Sequence, residues 1–385
     1  MRFADNRNKI GKYIPAVVFL IFIYGMALWF IFSPKPDYSS SEKRYLQKFP
    51  EVTAEKLLSG DFGSEFETFF ADRFPQRNTW VGLNAYTALA EGNNGASGVY
   101  NCKNGYLINK PVSTENNLDK NIGAVADFAK SIDTPTTVML VPSTGYIVDD
   151  VLPTFHDKYN DDEDISKISS TLSKDKIGFV DLRERFKSEY KNGSQLYYKT
   201  DHHWTTKGAY TGYQELCKAL DITPIDDSTL KKDSYPDFYG TTYSSSGFWL
   251  TPPDNIEIWN NPKNSDRNIS VKITEGANIK TSGSMYFTDH LKEDDKYPVF
   301  IDGNHALTEI TNTNAKNGTI LFIKDSFSHS LAPFLAENYS KVVLVDLRYY
   351  KESVSDLVTT YNPEQVVVLY GIDNLATDTD IVWLK

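Results

Sequence analysis

The sequence predicts an α/β protein with a mainly parallel sheet flanked by helices. Short apolar runs alternate along the chain with segments whose apolar residues recur every three or four positions. Runs without polar alternation are typical of strands buried on both faces, and strand–helix alternation requires the crossovers that make strands parallel. Polar residues suited to chemistry stand just beyond the ends of several runs, where ligands collect in such sheets.

Each element is predicted from this alternation. The predicted strands are Thr136–Val141, Ile177–Leu182, Gln195–Lys199, Thr319–Ile323, Lys341–Leu347 and Gln365–Tyr370. The predicted helices are Thr114 or Asn116 to Ile132, Asp161–Asp175, Arg183–Tyr190, Thr206–Leu220, a helix directly after Ser326, and Glu352–Tyr361. Gly98–Ile108 is typical of a hairpin, because Asn104-Gly105 favours a tight turn. The stretch from Val52 to about Gly92 indicates two helices bent at Pro75.

Residues from about 226 to 317 interrupt the alternation. They are rich in Asn, Asp, Ser, Tyr and Pro, with short alternating pieces such as Ile256–Trp259. We interpret them as a β-containing insertion that covers one face of the core. No internal repeat is evident.

The N-terminus predicts a membrane anchor. Tyr13–Phe32 is an uncharged apolar run, and twenty residues of helix span about 30 Å, the thickness of a bilayer's hydrocarbon core. Basic residues precede it, which predicts a cytoplasmic tail at 1–12 and an extracytoplasmic remainder. The alternative is a cleaved signal peptide, but the run is long and no small-x-small site follows. The predicted organisation is a linker at 33–60 and one extracytoplasmic domain at 61–385.

Composition excludes some classes of function. The formal net charge of −11 argues against a nucleic-acid partner, because phosphate binding requires a basic footprint. The two cysteines, Cys102 and Cys217, are expected to be unpaired and buried, although a disulfide is the alternative. No Cys/His spacing resembles a zinc site, and the sequence indicates no cofactor.

The segment Ile320–Leu335 predicts a nucleophile. Its apolar run ends at Lys324, Asp325 and Ser326, and a helical pattern begins at once. A strand, a sharp turn and a helix would place the Ser326 hydroxyl near the positive end of the helix dipole, where an oxyanion is stabilised. Asp325 is interpreted as a cap of this helix.

A serine hydroxyl needs a base, and Thr200-Asp-His-His-Trp204 offers one. In an extended segment Asp201 and His203 point to the same side, so we assign His203 as the base and Asp201 as the group that orients it. His202 would point the other way. In the alternative interpretation Asp201 caps a helix and both histidines are structural. Metal binding by these three residues is disfavoured, because neighbouring histidines on opposite faces chelate one ion poorly.

Oxyanion stabilisation and substrate binding need further donors. Candidates are the Ser326 N–H, Asn374 after the last predicted strand, and Asn304. Arg348 would hold a polar or anionic group, or else pair with Asp346. Trp204 is interpreted as packing the loop, with stacking on a sugar as the alternative, and His329 stands three residues after Ser326.

These motifs resemble a known family. Thr200-Asp-His-His-Trp204 resembles the signature of the DHHW family, which is similar to the SGNH-hydrolase-like alginate O-acetylation proteins. In that group an Asp-x-His pair precedes the serine motif, a circularly permuted order that Asp201, His203 and Ser326 reproduce. Further matching segments are Phe70–Arg77, Phe238–Thr241 and Val345–Tyr350. The chain departs from the pattern at Lys324, where the family has glycine, and at Gly371-Ile-Asp-Asn374, where the last two residues are reversed.

The resemblance implies a membrane-anchored O-acyltransferase acting on a cell-surface or secreted polysaccharide. Ser326 would accept an acetyl group from a membrane-bound acyl-donor protein, and His203 would then activate a sugar hydroxyl. The same residues would support a carbohydrate esterase if water were the acceptor. A different class is a non-catalytic subunit of a polysaccharide synthesis complex.

Overall fold

The computed structural model describes residues 2–112, 117–381 and 384, which form two compact units, 1–84 and 85–385. The helices in chain order are Arg2–Phe32, Ala54–Ser59, Asp61–Asp72, Arg77–Ala90, Leu118–Ser131, Thr144–Ile147, Asp161–Lys174, Arg183–Lys191, Thr206–Ala219, Thr241–Ser246, Ser328–Leu335, Val354–Tyr361 and Ile372–Thr377. The predicted helix starts at Thr114 or Asn116 lie outside the described residues.

The first unit begins with the long apolar helix. Within it, Tyr13–Phe32 is long and apolar enough to cross a membrane, by its length and composition. The chain after this helix is held by Asp72 and Arg73, at the C-terminal end of the helix Asp61–Asp72. Arg44 makes two hydrogen bonds to the Asp72 carboxylate, at 2.9 and 2.6 Å, and the buried Arg73 guanidinium donates to the backbone carbonyls of Lys35 and Gln47.

A central sheet organises the second unit. Its strands are β1 Thr136–Val141, β2 Gly178–Asp181, β3 Ile269–Glu275, β4 Asn278–Ser282, β5 Leu307–Asn312, β6 Asn317–Lys324, β7 Tyr339–Val345 and β8 Gln365–Gly371. Their spatial order is β4-β3-β5-β7-β6-β8-β1-β2. The strands from β7 to β2 are parallel, and the β4-β3-β5 edge joins β7 with antiparallel pairing. The fold is therefore α/β with a mixed sheet, in which the predicted parallel strands continue at one edge into antiparallel ones.

The parallel strands are buried on both faces, as their apolar runs predict. In β6, Ile320 and Phe322 pack into one core with the helices Thr206–Ala219 and Ser328–Leu335, and Leu321 and Ile323 pack into the opposite core. Because successive side chains of a strand point to opposite faces of the sheet, one apolar run contributes side chains to both cores.

Two predictions about β structure need correction. Gln195–Lys199 is not a strand of the sheet; it turns back at residues 200–203, and Tyr197 forms an isolated antiparallel bridge with Trp204. Its apolar pattern reflects burial alone. The predicted insertion is not a separate cover either, because β3, β4 and β5 extend the main sheet. Its other strands, Lys231–Phe238 and Asp254–Asn260, form a two-stranded sheet of their own.

The smaller local predictions agree with the structure. Val99–Asn101 and Leu107–Asn109 pair as an antiparallel hairpin, and Asn104 and Gly105 both adopt positive φ in its turn. Cys102 and Cys217 are buried free thiols.

Candidate active site

Ser326 lies in the turn between β6 and the helix Ser328–Leu335, as the sequence predicts. The turn is fixed by Asp325, whose Oδ1 accepts the Phe327 backbone N–H at 3.0 Å. Ser326 is 8 % exposed and lines a cavity of about 620 Å³. Among the described residues, no group accepts a hydrogen bond from the Ser326 backbone N–H, so this donor remains free for a ligand.

Ser326, His203 and Asp201 form one chain of hydrogen bonds. The distance from Ser326 Oγ to His203 Nε2 is 2.7 Å, and His203 Nδ1 lies 2.5 Å from Asp201 Oδ1. An Nδ1–H donated to the carboxylate leaves Nε2 as the acceptor of the serine proton, which is the tautomer that a general base requires. Two segments 123 residues apart therefore bring an alcohol and an imidazole together.

Both carboxylate oxygens of Asp201 accept hydrogen bonds from neighbouring residues. Its Oδ1 also accepts the His203 backbone N–H at 2.8 Å, and its Oδ2 accepts the Thr241 backbone N–H at 2.6 Å and the Thr241 hydroxyl at 3.1 Å. Gly240 is required here, because a Cβ at that position would lie 2.1 Å from the Asp201 Cβ. Burial acts to raise the pKa of Asp201, but the charges of His203 and His202 and the hydrogen bonds from His203 hold it well below its usual range.

Aromatic rings fix the His203 imidazole. Tyr297 stacks on it with ring centroids 4.0 Å apart and an angle of 11° between the planes, and Phe327 meets it edge-on at 5.1 Å. The Tyr297 hydroxyl donates to the Ser326 carbonyl oxygen at 3.2 Å. One tyrosine therefore positions both the base and the serine turn.

His202 does not point away from the base. Its ring lies beside that of His203, with centroids 3.9 Å apart, and its Nδ1 lies 2.7 Å from Thr241 Oγ1. The expectation of opposite faces assumed an extended segment, whereas the Asp201 side chain closes a turn onto the His203 N–H. Asp201, His202 and His203 consequently place possible metal ligands within 4.8 Å of one another. Because Asp201 and the His203 Nδ1 already bind each other, this arrangement favours the hydrogen-bonded chain.

Trp204 links the segment that contains His203 to the segment that follows Ser326. It is fully buried, and its indole N–H donates to the Phe327 carbonyl at 3.0 Å and to Ser330 Oγ at 2.9 Å. The ring has no exposed face on which a sugar could stack, so its surroundings support the packing interpretation. Gly212 makes room for it, because a Cβ there would come within 2.9 Å of the ring.

Asn374 lies at the cavity and is oriented by Asp325. Its Nδ2 donates to Asp325 Oδ2 at 2.7 Å, and the Gly371 backbone N–H donates to the same oxygen at 2.7 Å. The predicted role of Asp325 as a helix cap is wrong, because the helix Ser328–Leu335 has Phe327 as its N-cap residue and no side-chain cap hydrogen bond. Asp325 instead joins the serine turn to the end of β8. Burial raises its pKa, although these donors act in the opposite direction.

Arg348 and Asn304 lie together at the cavity rim. Arg348 makes two hydrogen bonds to Asp346, at 2.9 and 2.6 Å, and donates to Asn304 Oδ1 at 2.8 Å. Arg348 therefore pairs with Asp346 and also lines the cavity, and its binding of a polar or anionic group stays a prediction. Behind it, the buried Lys324 ammonium donates to Asp346 Oδ2 at 2.8 Å and contacts His329 Nε2 at 2.7 Å.

Sequence reasoning missed several of these residues. Thr241 contacts Asp201 and Tyr297 stacks on His203, and both come from segments in which the sequence shows no catalytic motif. Lys324, where the chain departs from the family pattern, belongs to a buried charge network with Asp346 and His329. The Phe238–Thr241 match contained a usable signal, since it includes both Gly240 and Thr241.

Two neighbouring acidic residues, the buried Asp161 and the partly exposed Asp373, yield a pH prediction. Asp161 Oδ1 accepts the Ser143 backbone N–H at 2.7 Å, and the Ser143 hydroxyl donates to Asp373 at 3.1 Å. Burial, with a contribution from Asp373, raises the pKa of Asp161 to about 7, and burial raises that of Asp373 to about 6.

We expect Asp161→Asn to stabilise the protein above pH 7. A carboxyl whose pKa is higher in the folded state contributes stability below its unfolded value near 3.8, and this is lost as pH rises to about 7. The amide cannot ionise, so the gain in the free energy of unfolding should be near zero at pH 4 and reach about 4 kcal/mol at pH 8. Urea unfolding across this range measures it. Glu163→Gln, on the same helix in an exposed pair, is the control, and an equal gain at every pH would contradict the prediction.

The chain is similar to SGNH-hydrolase-like domains of known proteins. The family model described as ALGX, the SGNH hydrolase-like domain of acetyltransferase AlgX, matches residues 108–237, a range that includes Asp201 and His203. The predicted resemblance to this group of proteins is thereby confirmed.

Solved structures share the fold. A DHHW family protein from Eubacterium siraeum is 18% identical with a TM-score of 0.62, over 74% of this chain and 94% of that one. PatB1 from Bacillus cereus, solved with a sulfonyl adduct, is 20% identical with a TM-score of 0.61, over 74% of this chain and 97% of its own. No curated protein matches the chain in sequence.

Proposed function

We propose that this protein is a membrane-anchored O-acyltransferase that modifies hydroxyl groups of a cell-surface or secreted polysaccharide. The observation that carries the proposal is the hydrogen-bonded chain Ser326–His203–Asp201, whose three residues line a cavity of about 620 Å³. The match to the domain of an acetyltransferase and the apolar N-terminal helix support it. That helix would keep the site near a membrane-bound acyl donor, with the catalytic unit outside the cell.

The proposed reaction has two halves. Ser326 Oγ attacks the acyl carbonyl of the donor while His203 Nε2 takes its proton, and the leaving group departs with that proton. His203 then removes a proton from a sugar hydroxyl, whose oxygen attacks the acyl-Ser326 ester. The sugar ester leaves, Ser326 recovers its proton, and Asp201 stabilises the imidazolium in both halves.

The lining of the cavity indicates the kind of acceptor. Carboxylates of Glu293, Asp295, Asp378 and Asp380 line the cavity together with Arg348. Glu293 contacts His290, Asp380 pairs with Lys351 and Arg348 pairs with Asp346, but acidic side chains still outnumber basic ones in the lining. Like charges across a binding surface disfavour association. A neutral sugar polymer therefore fits this site better than a polyuronate.

The test is acylation of the full chain in detergent by an activated acetyl ester. Mass spectrometry is expected to find one acetyl group on Ser326, and a sulfonyl fluoride should block that position. Ser326→Ala should remain unmodified by both reagents. An intact protein whose Ser326 reacts with neither would contradict catalysis and favour the non-catalytic subunit.

Transfer and hydrolysis differ in the acceptor. If the protein is a transferase, adding a neutral oligosaccharide should discharge the acyl-enzyme and yield the acetylated sugar, whereas a uronate oligosaccharide should do so poorly. Release of acetate at the same rate with and without sugar would identify an esterase.

A further inference from the structure

His329 is a buried titratable group at the site with one ring nitrogen unaccounted for. It is 1 % exposed and lines the cavity that contains Ser326. Its backbone N–H donates to the Ser326 carbonyl at 3.2 Å, so the two residues share one face of the first helical turn. Its Nδ1 is buried and finds no hydrogen-bond partner among the residues that the structure describes.

The neighbouring charge determines which nitrogen of His329 carries the proton. Lys324 Nζ lies 2.7 Å from His329 Nε2 and 2.8 Å from Asp346 Oδ2. An ammonium group has donors and no acceptor, so Nε2 must accept. Burial and the Lys324 charge hold the pKa of His329 well below its usual range, so the ring is neutral. The single ring proton is therefore on Nδ1, which makes the unpartnered atom a donor.

We propose that the His329 Nδ1–H donates a hydrogen bond to the acyl oxygen of the substrate and is part of the oxyanion hole. This inference rests on the proposed function and adds a residue to it. A donor fixed in place before the reaction costs no reorganisation when charge develops on the oxygen. Lys324 and Asp346 act through His329 as positioning residues. Lys324 occupies the position at which the family motif has glycine, and in this chain its role is to fix the proton of His329 on Nδ1. The uncommitted Ser326 N–H supplies a second donor to the same oxygen.

Two substitutions at His329 distinguish a hydrogen-bond donor to the substrate from a histidine with a structural role only. Asn places an amide nitrogen near the position of Nδ1, whereas Gln extends its amide to the position of Nε2 and leaves Nδ1 without a substitute. With an activated acetyl ester and the full chain, His329→Gln is expected to lower kcat about 100-fold with little change in KM. His329→Asn should retain kcat within about tenfold of the wild type. The reverse order would mean that contact with Lys324 is what matters and would overturn the proposal.

A measurement on the unmodified protein does not depend on whether the variants fold. In the full chain labelled with nitrogen-15 histidine, the His329 ring should show a protonated Nδ1 and an unprotonated Nε2, and Lys324→Met should abolish that preference. A proton on Nε2 in the wild type would also overturn the proposal. The outcomes are distinguishable from failure of the main proposal: if Ser326→Ala is inactive while His329→Gln matches the wild type, the oxyanion role alone is wrong. His156→Gln, at an exposed histidine, is the control.

Discussion

His203→Ala is expected to lower the turnover of an activated acetyl ester about 10⁴-fold, whereas His202→Ala should stay within about tenfold of the wild type. Of the two histidines, it is His203 that contacts both Ser326 Oγ and the Asp201 carboxylate, so its loss removes the proposed base from the reaction. His202 contacts the Thr241 hydroxyl instead, and Thr241 in turn donates hydrogen bonds from its hydroxyl and its N–H to Asp201. Its effect on the reaction is therefore indirect. Steady-state kinetics of the full chain in detergent measures both effects.

The close approach of the two histidine rings makes this comparison informative. Asp201, His202 and His203 have ligand atoms close enough for a metal ion, and a metal site would need both imidazoles. Equal losses for the two variants, together with inactivation by a chelator, would replace the triad with a metal centre. Asp201→Asn provides a further contrast. It should reduce kcat because His203 loses the carboxylate that orients its ring, and a chelator should not lower the rate that remains.

Local patterns were sufficient where one segment determines its own structure. The apolar run before Ser326 predicts a buried strand, and the spacings after it predict the helix, so the position of the nucleophile follows from neighbouring residues. The predicted contact between the Asp201 and His203 side chains is present for a different reason. The segment is a turn closed by Asp201, and the side chains meet because of that turn rather than because of strand alternation.

Contacts between distant segments could not be predicted in this way. Tyr297 and Thr241 reach the triad through the folding of a region whose sequence shows little periodicity. The β3-β4-β5 edge was missed for the same cause, because antiparallel strands between loops lack the strand–helix alternation on which the prediction was based. Lys324 is the clearest case, since burying an ammonium is unfavourable unless a partner is present, and its partner Asp346 is 22 residues away.

Removing that partner is expected to have the largest effect on stability. Lys324 and Asp346 have side chains 2 % and 1 % exposed, and Asp346→Asn leaves the ammonium buried without a counter-ion. Breaking a buried ion pair from one side costs about 3–5 kcal/mol, because the remaining charge keeps its desolvation penalty. Urea unfolding of the full chain should show a loss of this size. Asp380→Asn, which breaks a pair with Lys351 whose side chains are 42 % and 30 % exposed, should cost less than about 1 kcal/mol.

The double variant Lys324→Met with Asp346→Asn distinguishes charge from packing. If the unpaired ammonium causes the loss, removing it should recover at least half of the lost free energy of unfolding, since methionine fills a similar volume without a charge. Arg348 is half-exposed and can turn its guanidinium toward water, so it should not create a second unpaired charge. A double variant no more stable than Asp346→Asn would mean that the network stabilises the fold through its shape, and the charge argument at this site would be wrong.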